Sequence, residues 1–237
     1  MEKLTVAGRE ALLFPAARED APLVLLHAAG DEGETVYRKT REATERDFSF
    51  AAVGGLNWER DMSPWSCPPL FKGGAPFSGG ADAYLAALTG KILPEILARL
   101  PKPAYISIAG YSLAGLFAVY ALYGTDCFSR AASASGSFWY PGFLEFAAAN
   151  GTAKKPERVY FSLGDREAGT RNKLLGAVEE NTRALKERYE KAGVETVFEL
   201  NPGNHFRDAE ARMAKGIVWM LGEGSGAMDW HSETKGC

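Results

Sequence analysis

Residues 105–123 indicate the fold most clearly, and they read Tyr105-Ile-Ser-Ile-Ala-Gly-Tyr-Ser-Leu-Ala-Gly-Leu-Phe-Ala-Val-Tyr-Ala-Leu-Tyr123. Residues 105–109 predict a buried strand, and residues 113–123 predict an apolar helix. Between them, Gly110 and Ala114 are small, as expected where a strand and the following helix pass very close to each other. A strand that leads into a helix in this way is typical of a mostly parallel sheet.

On both sides of this junction, predicted strands and helices alternate along most of the chain. Strands are predicted at 4–6, 9–14, 22–27, 48–54, 105–109, 130–135, 158–163 and 194–200, and helices at 34–46, 81–100, 113–123, 143–149, 172–191 and 206–221. Pro94 predicts a kink in its helix. We therefore expect an α/β fold with a mostly parallel sheet of about eight strands and helices on both faces.

The domain organisation follows from the same pattern. No repeat or linker divides residues 1–222, which predict a single domain. Residues 55–80 form a long segment rich in Pro, Gly and aromatic residues, and irregular segments of this length are usually functional. Residues 223–237 show no periodicity and predict a flexible tail.

Composition excludes several classes of protein. The 237 residues include 27 Lys and Arg against 30 Asp and Glu, so the net charge of −3 gives no basic field for nucleic acid or anionic membranes. The three cysteines are too few for a disulfide framework, and no Cys/His cluster predicts a metal site. No signal peptide or membrane-spanning run is apparent, which favours a cytoplasmic location. Nothing in the sequence decides the oligomeric state.

The junction at residues 110–114 has the pattern Gly-x-Ser-x-small, which is typical of a nucleophile elbow. In such a turn the Ser112 hydroxyl would project above the sheet. The Leu113 N–H would then point toward an oxyanion at the start of the helix. A second N–H for the oxyanion is expected from the turn after residue 27, at Ala28 or Ala29.

A serine nucleophile needs a base, and the chain has only three histidines: His27, His205 and His231. His205 follows the last predicted strand, where it can reach Ser112 across the carboxyl edge of the sheet. The stretch after the preceding strand offers Asp165 as the acid that orients the base, with Glu167 as the alternative. The order serine, acid, histidine is that of the α/β-hydrolase fold.

Four further residues are candidates for binding a substrate. Trp65 and Trp139 are expected to contribute to an aromatic wall, and Arg60 and Tyr111 are expected to make polar contacts. The alternatives are a buried role for the aromatic residues and a solvated position for the arginine.

Several stretches together resemble one family. They are GYSLAGLFAVYALY, SASGSFWYPGF, YFSLGDREAGTRN, NPGNHFRD, NWERDMSPW and GGADAYL. They are similar to the putative esterase family of α/β hydrolases, which includes esterase D-like enzymes and siderophore trilactone esterases. The resemblance implies hydrolysis of a small-molecule carboxylic ester, with no metal or organic cofactor. It also implies catalytic roles for Ser112 and His205, whereas the acid carries over less surely because some siderophore esterases resemble Ser-His dyads.

Two other functions are compatible with the same residues. An acyltransferase would pass the acyl group from Ser112 to an alcohol or sugar instead of water. A binding protein could keep the fold for ligand recognition through the aromatic segment, although it would not need all of Ser112, Asp165 and His205.

Overall fold

The apolar runs of the sequence become ten strands in the computed structural model, which describes residues 1–28 and 32–222. The strands are β1 (Glu2–Val6), β2 (Arg9–Phe14), β3 (Leu23–His27), β4 (Ser49–Gly54), β5 (Ser66–Cys67), β6 (Phe77–Ser78), β7 (Ile106–Tyr111), β8 (Arg130–Ala134), β9 (Arg158–Gly164) and β10 (Glu195–Asn201). Eight of them form one sheet in the order β1-β2-β4-β3-β7-β8-β9-β10, and β5 and β6 form a separate two-stranded ribbon. The predicted eight-stranded sheet is confirmed.

The helices connect these strands. They are α1 (Glu32–Ala43), α2 (Trp58–Asp61), α3 (Ala81–Ala87), α4 (Leu93–Leu97), α5 (Leu113–Gly124), α6 (Phe143–Ala149), α7 (Lys173–Gly176), α8 (Val178–Lys191) and α9 (Ala209–Leu221). Among the described residues, no helix is both long enough and apolar enough to cross a bilayer.

Strand direction places the functional loops. In the eight-stranded sheet every pairing from β4 through β3, β7, β8 and β9 to β10 is parallel, and only the pairings of β1 with β2 and of β2 with β4 are antiparallel. Parallel strands end at the same edge of a sheet. The loops after β7, β8, β9 and β10 therefore converge there.

Both faces of the sheet are covered, as parallel sheets require. Helices α1 and α9 contact each other and cover one face, where Phe50, Ala109 and Ile217 are fully buried. Helix α5 packs on β7 and β8 on the other face and is apolar all round, because ten of its twelve residues are buried. That burial explains a helix with no polar stripe.

Two predicted helices are interrupted in the structure. The helix expected at 81–100 contains a π-helical turn, Leu88–Ile92, and α4 then begins with Pro94 in its first turn. The proline nitrogen cannot donate a hydrogen bond to the preceding turn, and the π turn lies directly before it. The helix expected at 172–191 divides into α7 and α8 at Ala177.

Candidate active site

Ser112 lies in the turn between β7 and α5 in a strained backbone conformation, with φ 57° and ψ −121°. A positive φ is unfavourable for a residue with a side chain, and the surrounding structure must hold it there. The Ser112 N–H donates to the Ala134 carbonyl at 3.1 Å, which ties the turn to β8. A Cβ at Gly110 would lie 2.3 Å from the Ala114 backbone, so only glycine permits this close approach.

His205 lies in the loop after β10 and contacts Ser112 through one ring nitrogen. His205 Nε2 is 3.0 Å from Ser112 Oγ, and His205 Nδ1 is 2.7 Å from Glu167 Oε2. The Tyr111 hydroxyl donates to the His205 carbonyl at 2.7 Å, and the two rings are in contact. A chain of hydrogen bonds therefore runs from a buried carboxylate through an imidazole to the strained serine.

Glu167 is held by four donors. Besides His205, it accepts hydrogen bonds from the Ser135 hydroxyl at 2.6 Å, the Gly164 N–H at 2.6 Å and Arg212 Nη2 at 2.8 Å. Burial alone would raise the pKa of Glu167, but these hydrogen bonds outweigh it and lower the pKa to about 2. The side chain is therefore an ionised acceptor at neutral pH.

Asp165, the residue favoured from sequence as the acid, does not contact His205. Its Oδ1 instead accepts the Gly203 N–H at 2.8 Å and so joins the loop after β9 to the loop after β10. The prediction of Asp165 as the orienting acid is wrong, and the alternative, Glu167, occupies that place. The two loops approach so closely that a Cβ at Gly164 would lie 2.4 Å from the Gly203 carbonyl.

The residues expected to donate an N–H to the oxyanion are Leu113 and either Ala28 or Ala29, and their positions fit that role differently. Leu113 begins α5, and the first N–H groups of a helix have no intrahelical partner. Ala28 does not fit the expectation, because its N–H donates to the Val53 carbonyl at 3.1 Å and extends the pairing of β3 with β4. Ala29 lies outside the described residues.

A cavity of about 470 Å³ opens above Ser112 and His205. Its walls are mostly apolar and aromatic, and the exposed rings of Phe71 and Phe206 lie at its mouth. Trp139 lines the cavity, as expected of a substrate-binding residue. The lining also includes Trp58, Glu59, Phe77 and Ser137.

Three residues expected to bind substrate lie elsewhere. The Trp65 ring donates to the Pro141 carbonyl at 2.9 Å and packs against Phe143, so it supports the wall from outside. Arg60 pairs with Asp61 at 3.0 Å. Tyr111 supports His205 from below, as described above. None of these three lines the cavity, so the structure does not place them as direct substrate contacts.

The other histidines do not join the site. His27 is buried against the rings of Tyr84 and Phe117, and neither ring nitrogen makes a hydrogen bond of normal geometry within the described residues. Burial lowers the pKa of His27 to about 3, and the backbone of Ala109 opposes this shift only in part. His231 lies outside the described residues. Within 1–28 and 32–222, no three His, Cys, Asp or Glu side chains are grouped to hold a metal ion.

Sequence reasoning did not identify several residues that touch the reacting groups. Ser137 Oγ lies 3.4 Å from Ser112 Oγ, and Ser135 and Arg212 bond to Glu167. Arg212 is almost fully buried in α9 and also hydrogen-bonds to Ser135. The only sequence signal for Arg212 was an arginine among the apolar residues of a predicted helix. That signal does not reveal that Glu167 is its partner.

Residues 34–214 match the family described as "Putative esterase". No curated protein matches the chain in sequence.

Among solved structures, an IroE-like serine hydrolase from Shewanella oneidensis has 17% identity and a TM-score of 0.75, over 92% of this chain and 79% of that one. The siderophore hydrolase EstB from Aspergillus nidulans has 17% identity and a TM-score of 0.62, over 93% and 94%. The enterobactin and salmochelin hydrolase IroE has 18% identity and a TM-score of 0.62, over 91% and 89%. At these identities the structural likeness establishes the fold alone.

The sequence match covers most of the sheet and both loops that carry the serine and the histidine. The solved structures share the α/β-hydrolase architecture that the strand order displays. The chain therefore belongs to the family described as "Putative esterase" and is a carboxylic ester hydrolase with an α/β-hydrolase fold.

Proposed function

We propose that Ser112, His205 and Glu167 form a catalytic triad that hydrolyses a carboxylic ester through an acyl-Ser112 intermediate. The observation that carries this proposal is the pair of hydrogen bonds on His205, 3.0 Å to Ser112 and 2.7 Å to Glu167, next to an open cavity. Nucleophile, base and orienting acid within hydrogen-bond reach are what acyl transfer by serine requires.

In the acylation step, Ser112 Oγ attacks the carbonyl carbon of the ester while its proton moves to His205 Nε2. The tetrahedral oxyanion is stabilised by the Leu113 N–H at the start of α5. When the intermediate collapses, the carbon–oxygen bond to the leaving group breaks and His205 returns the proton to the departing alkoxide. The alcohol leaves, and the acyl group remains on Ser112.

In the deacylation step, a water molecule takes the place of the alcohol. His205 accepts a proton from that water as its oxygen attacks the acyl carbon. Collapse of the second intermediate breaks the bond to Ser112 Oγ, which recovers the proton from His205. Glu167 fixes the tautomer of His205 and stabilises the imidazolium that forms twice per cycle, without being protonated itself. Its four hydrogen-bond donors keep the carboxylate ionised and in place.

The lactone of a siderophore is a candidate substrate class. Support comes from three proteins of the same fold whose names describe them as an IroE-like hydrolase, a siderophore hydrolase and an enterobactin and salmochelin hydrolase. The aromatic walls around Trp139 and Phe77 suit the ring-bearing groups that such lactones carry. Steady-state kinetics with the metal-free and ferric forms of a catecholate trilactone would test this class.

The triad is tested by comparing wild type with Ser112→Ala on p-nitrophenyl butyrate. We expect kcat to fall about 10³-fold or more, because the nucleophile is removed while the fold is kept. A fluorophosphonate probe should label the wild type and leave the variant unlabelled. Ser66→Ala, at an exposed serine outside the cavity, is the matched control and should behave as wild type. Near-normal turnover by Ser112→Ala would contradict the proposal.

A further inference from the structure

The cavity above Ser112 is lined by acidic and aromatic residues. The residues that line it include two glutamates, Glu59 and Glu167, and, among the described residues, no lysine or arginine. Five aromatic side chains share the same lining: Trp58, Phe71, Phe77, Trp139 and Phe206. A substrate that enters the cavity is therefore surrounded by acidic and aromatic residues.

The two carboxylates differ in how far they are already neutralised. Glu167 is bonded to Arg212 and to His205, so its charge serves the catalytic groups. The Glu59 carboxylate has no hydrogen bond or ion pair to any residue of 1–28 or 32–222. Glu59 is partly buried in the short helix α2, which forms part of the cavity wall. A carboxylate that lines an aromatic cavity without a counter-ion is available to a ligand.

The arginines close to this region are occupied elsewhere. Arg60, next to Glu59 in the chain, pairs with Asp61. Arg207, next to Phe206, pairs with Asp208. Lys72 and Arg171 each follow a lining residue in sequence, but neither side chain lines the cavity. No cation of the described chain is therefore in place to satisfy Glu59.

We propose that the cavity recognises esters that carry an organic cation, such as an alkylammonium group, with Glu59 as its counter-ion. Aromatic faces attract such cations through their quadrupole, and the attraction grows when water is excluded. A nearby carboxylate adds a direct electrostatic attraction. This inference rests on the proposed triad and names a substrate class that competes with the siderophore lactone, because the same cavity disfavours a strongly anionic substrate such as a ferric catecholate trilactone.

The test uses three p-nitrophenyl esters with the same leaving group and nearly the same acyl shape. They are the 4-(trimethylammonio)butanoate, the neutral 5,5-dimethylhexanoate and the anionic monoester of glutaric acid. For the wild type we expect kcat/KM to be about tenfold higher for the cationic ester than for the neutral one. The anionic ester should be slower than the neutral one by a similar factor.

Glu59→Gln keeps the size of the side chain and removes its charge. We expect the cationic-to-neutral ratio to fall from about tenfold to about twofold in this variant, because the aromatic faces remain. The matched control is Glu145→Gln, an exposed glutamate outside the cavity, which changes the net charge by the same amount and should keep the wild-type ratio. Equal kcat/KM for all three esters, or an unchanged ratio in Glu59→Gln, would overturn the proposal.

A binding measurement separates this proposal from the hydrolytic one. Trimethylphenylammonium should bind to Ser112→Ala in a calorimetric titration, and the added Glu59→Gln change should weaken that binding by about tenfold or more. Hydrolysis of the neutral ester without a charge preference would refute only the cation site. Cation binding that depends on Glu59, in a protein that hydrolyses none of the esters, would refute only the esterase mechanism.

Discussion

The two sides of the cavity are organised in opposite ways. On the side formed by the loops after β7, β9 and β10, Ser112, His205 and Glu167 are all tied to partners by hydrogen bonds. On the side formed by residues 55–80, the wall is aromatic and Glu59 has no bonding partner among the described residues. The comparison indicates that the groups proposed for chemistry are fixed in advance, whereas the groups proposed for recognition are completed by the substrate.

The largest effect should come from removing the charge of one of the two carboxylates in the loop after β9. We expect Glu167→Gln to lower kcat about 10³-fold, because the amide can no longer stabilise the imidazolium or fix the tautomer of His205. Asp165→Asn should lower kcat less than about threefold, since Asp165 only joins two loops. Steady-state kinetics on p-nitrophenyl butyrate measures both. A larger loss in Asp165→Asn than in Glu167→Gln would reverse the assignment of the acid.

The next largest effect concerns His27, which is buried between Tyr84 and Phe117 and lies outside the cavity. Its pKa is about 3 in the folded protein and about 6.5 when unfolded, so the unfolded chain binds the extra proton between these values. The free energy of unfolding should therefore fall by about 1.4 kcal/mol per pH unit as the pH drops below about 6. Glu167, with a lowered pKa of about 2, adds to this loss only below about pH 4.5.

Urea unfolding between pH 7 and pH 4.5 measures this dependence. His27→Leu removes the titrating ring from the apolar site between Tyr84 and Phe117 and should flatten the curve in that range. A curve as steep in His27→Leu as in wild type would show that other groups cause the loss.

A smaller effect is expected from Arg212, which holds Glu167 from behind. Arg212→Met should lower kcat about tenfold and raise the pKa of Glu167, because it removes a charged hydrogen bond to Oε1. Arg212→Lys, which keeps a charged donor beside Glu167, should restore part of kcat. A variant with a lower melting temperature but an unchanged kcat would limit Arg212 to a structural role.

The smallest effect is expected at the mouth of the cavity. Phe206 is 86% exposed, so Phe206→Ala should change the free energy of unfolding by less than about 0.5 kcal/mol. It should raise KM about threefold by removing an aromatic surface from the entrance. Leu200→Ala, another exposed apolar residue outside the cavity, is the matched control. An equal effect on KM in both variants would exclude a specific role for Phe206.

Much of the fold could be predicted because hydrophobic periodicity and the steric limits of a tight turn are local properties of the sequence. The predicted alternation of strands and helices matches the structure outside residues 55–80, where α2, β5 and β6 were not predicted. The Gly110-to-Ala114 turn requires small residues wherever it occurs. The breaks were harder to predict. The π turn at Leu88–Ile92 depends on how α3 and α4 pack, and sequence period alone does not reveal it.

Site residues could be predicted where the order of strands along the chain fixes their position. They were missed where the direction of a side chain decides which group it contacts. Ser112 and His205 follow from the ends of β7 and β10, which meet at one edge of the sheet. Asp165 and Glu167 differ by two residues in an irregular loop, so no period distinguishes them, and the donors from Arg212 and Ser135 decide which one reaches the histidine. Trp65 was assigned to the cavity from its residue type, but its ring packs behind the wall.

The strained backbone at Ser112 gives the protein a built-in reporter of its own folding. A φ of 57° with a ψ of −121° is a conformation that an unfolded chain seldom visits, and the contacts to Ala134 and Ser137 that maintain it exist only in the folded protein. Covalent labelling of Ser112 by a fluorophosphonate should therefore count native molecules. The labelled fraction would follow the folded population through a denaturant titration, even in a mixture where other methods see only the average.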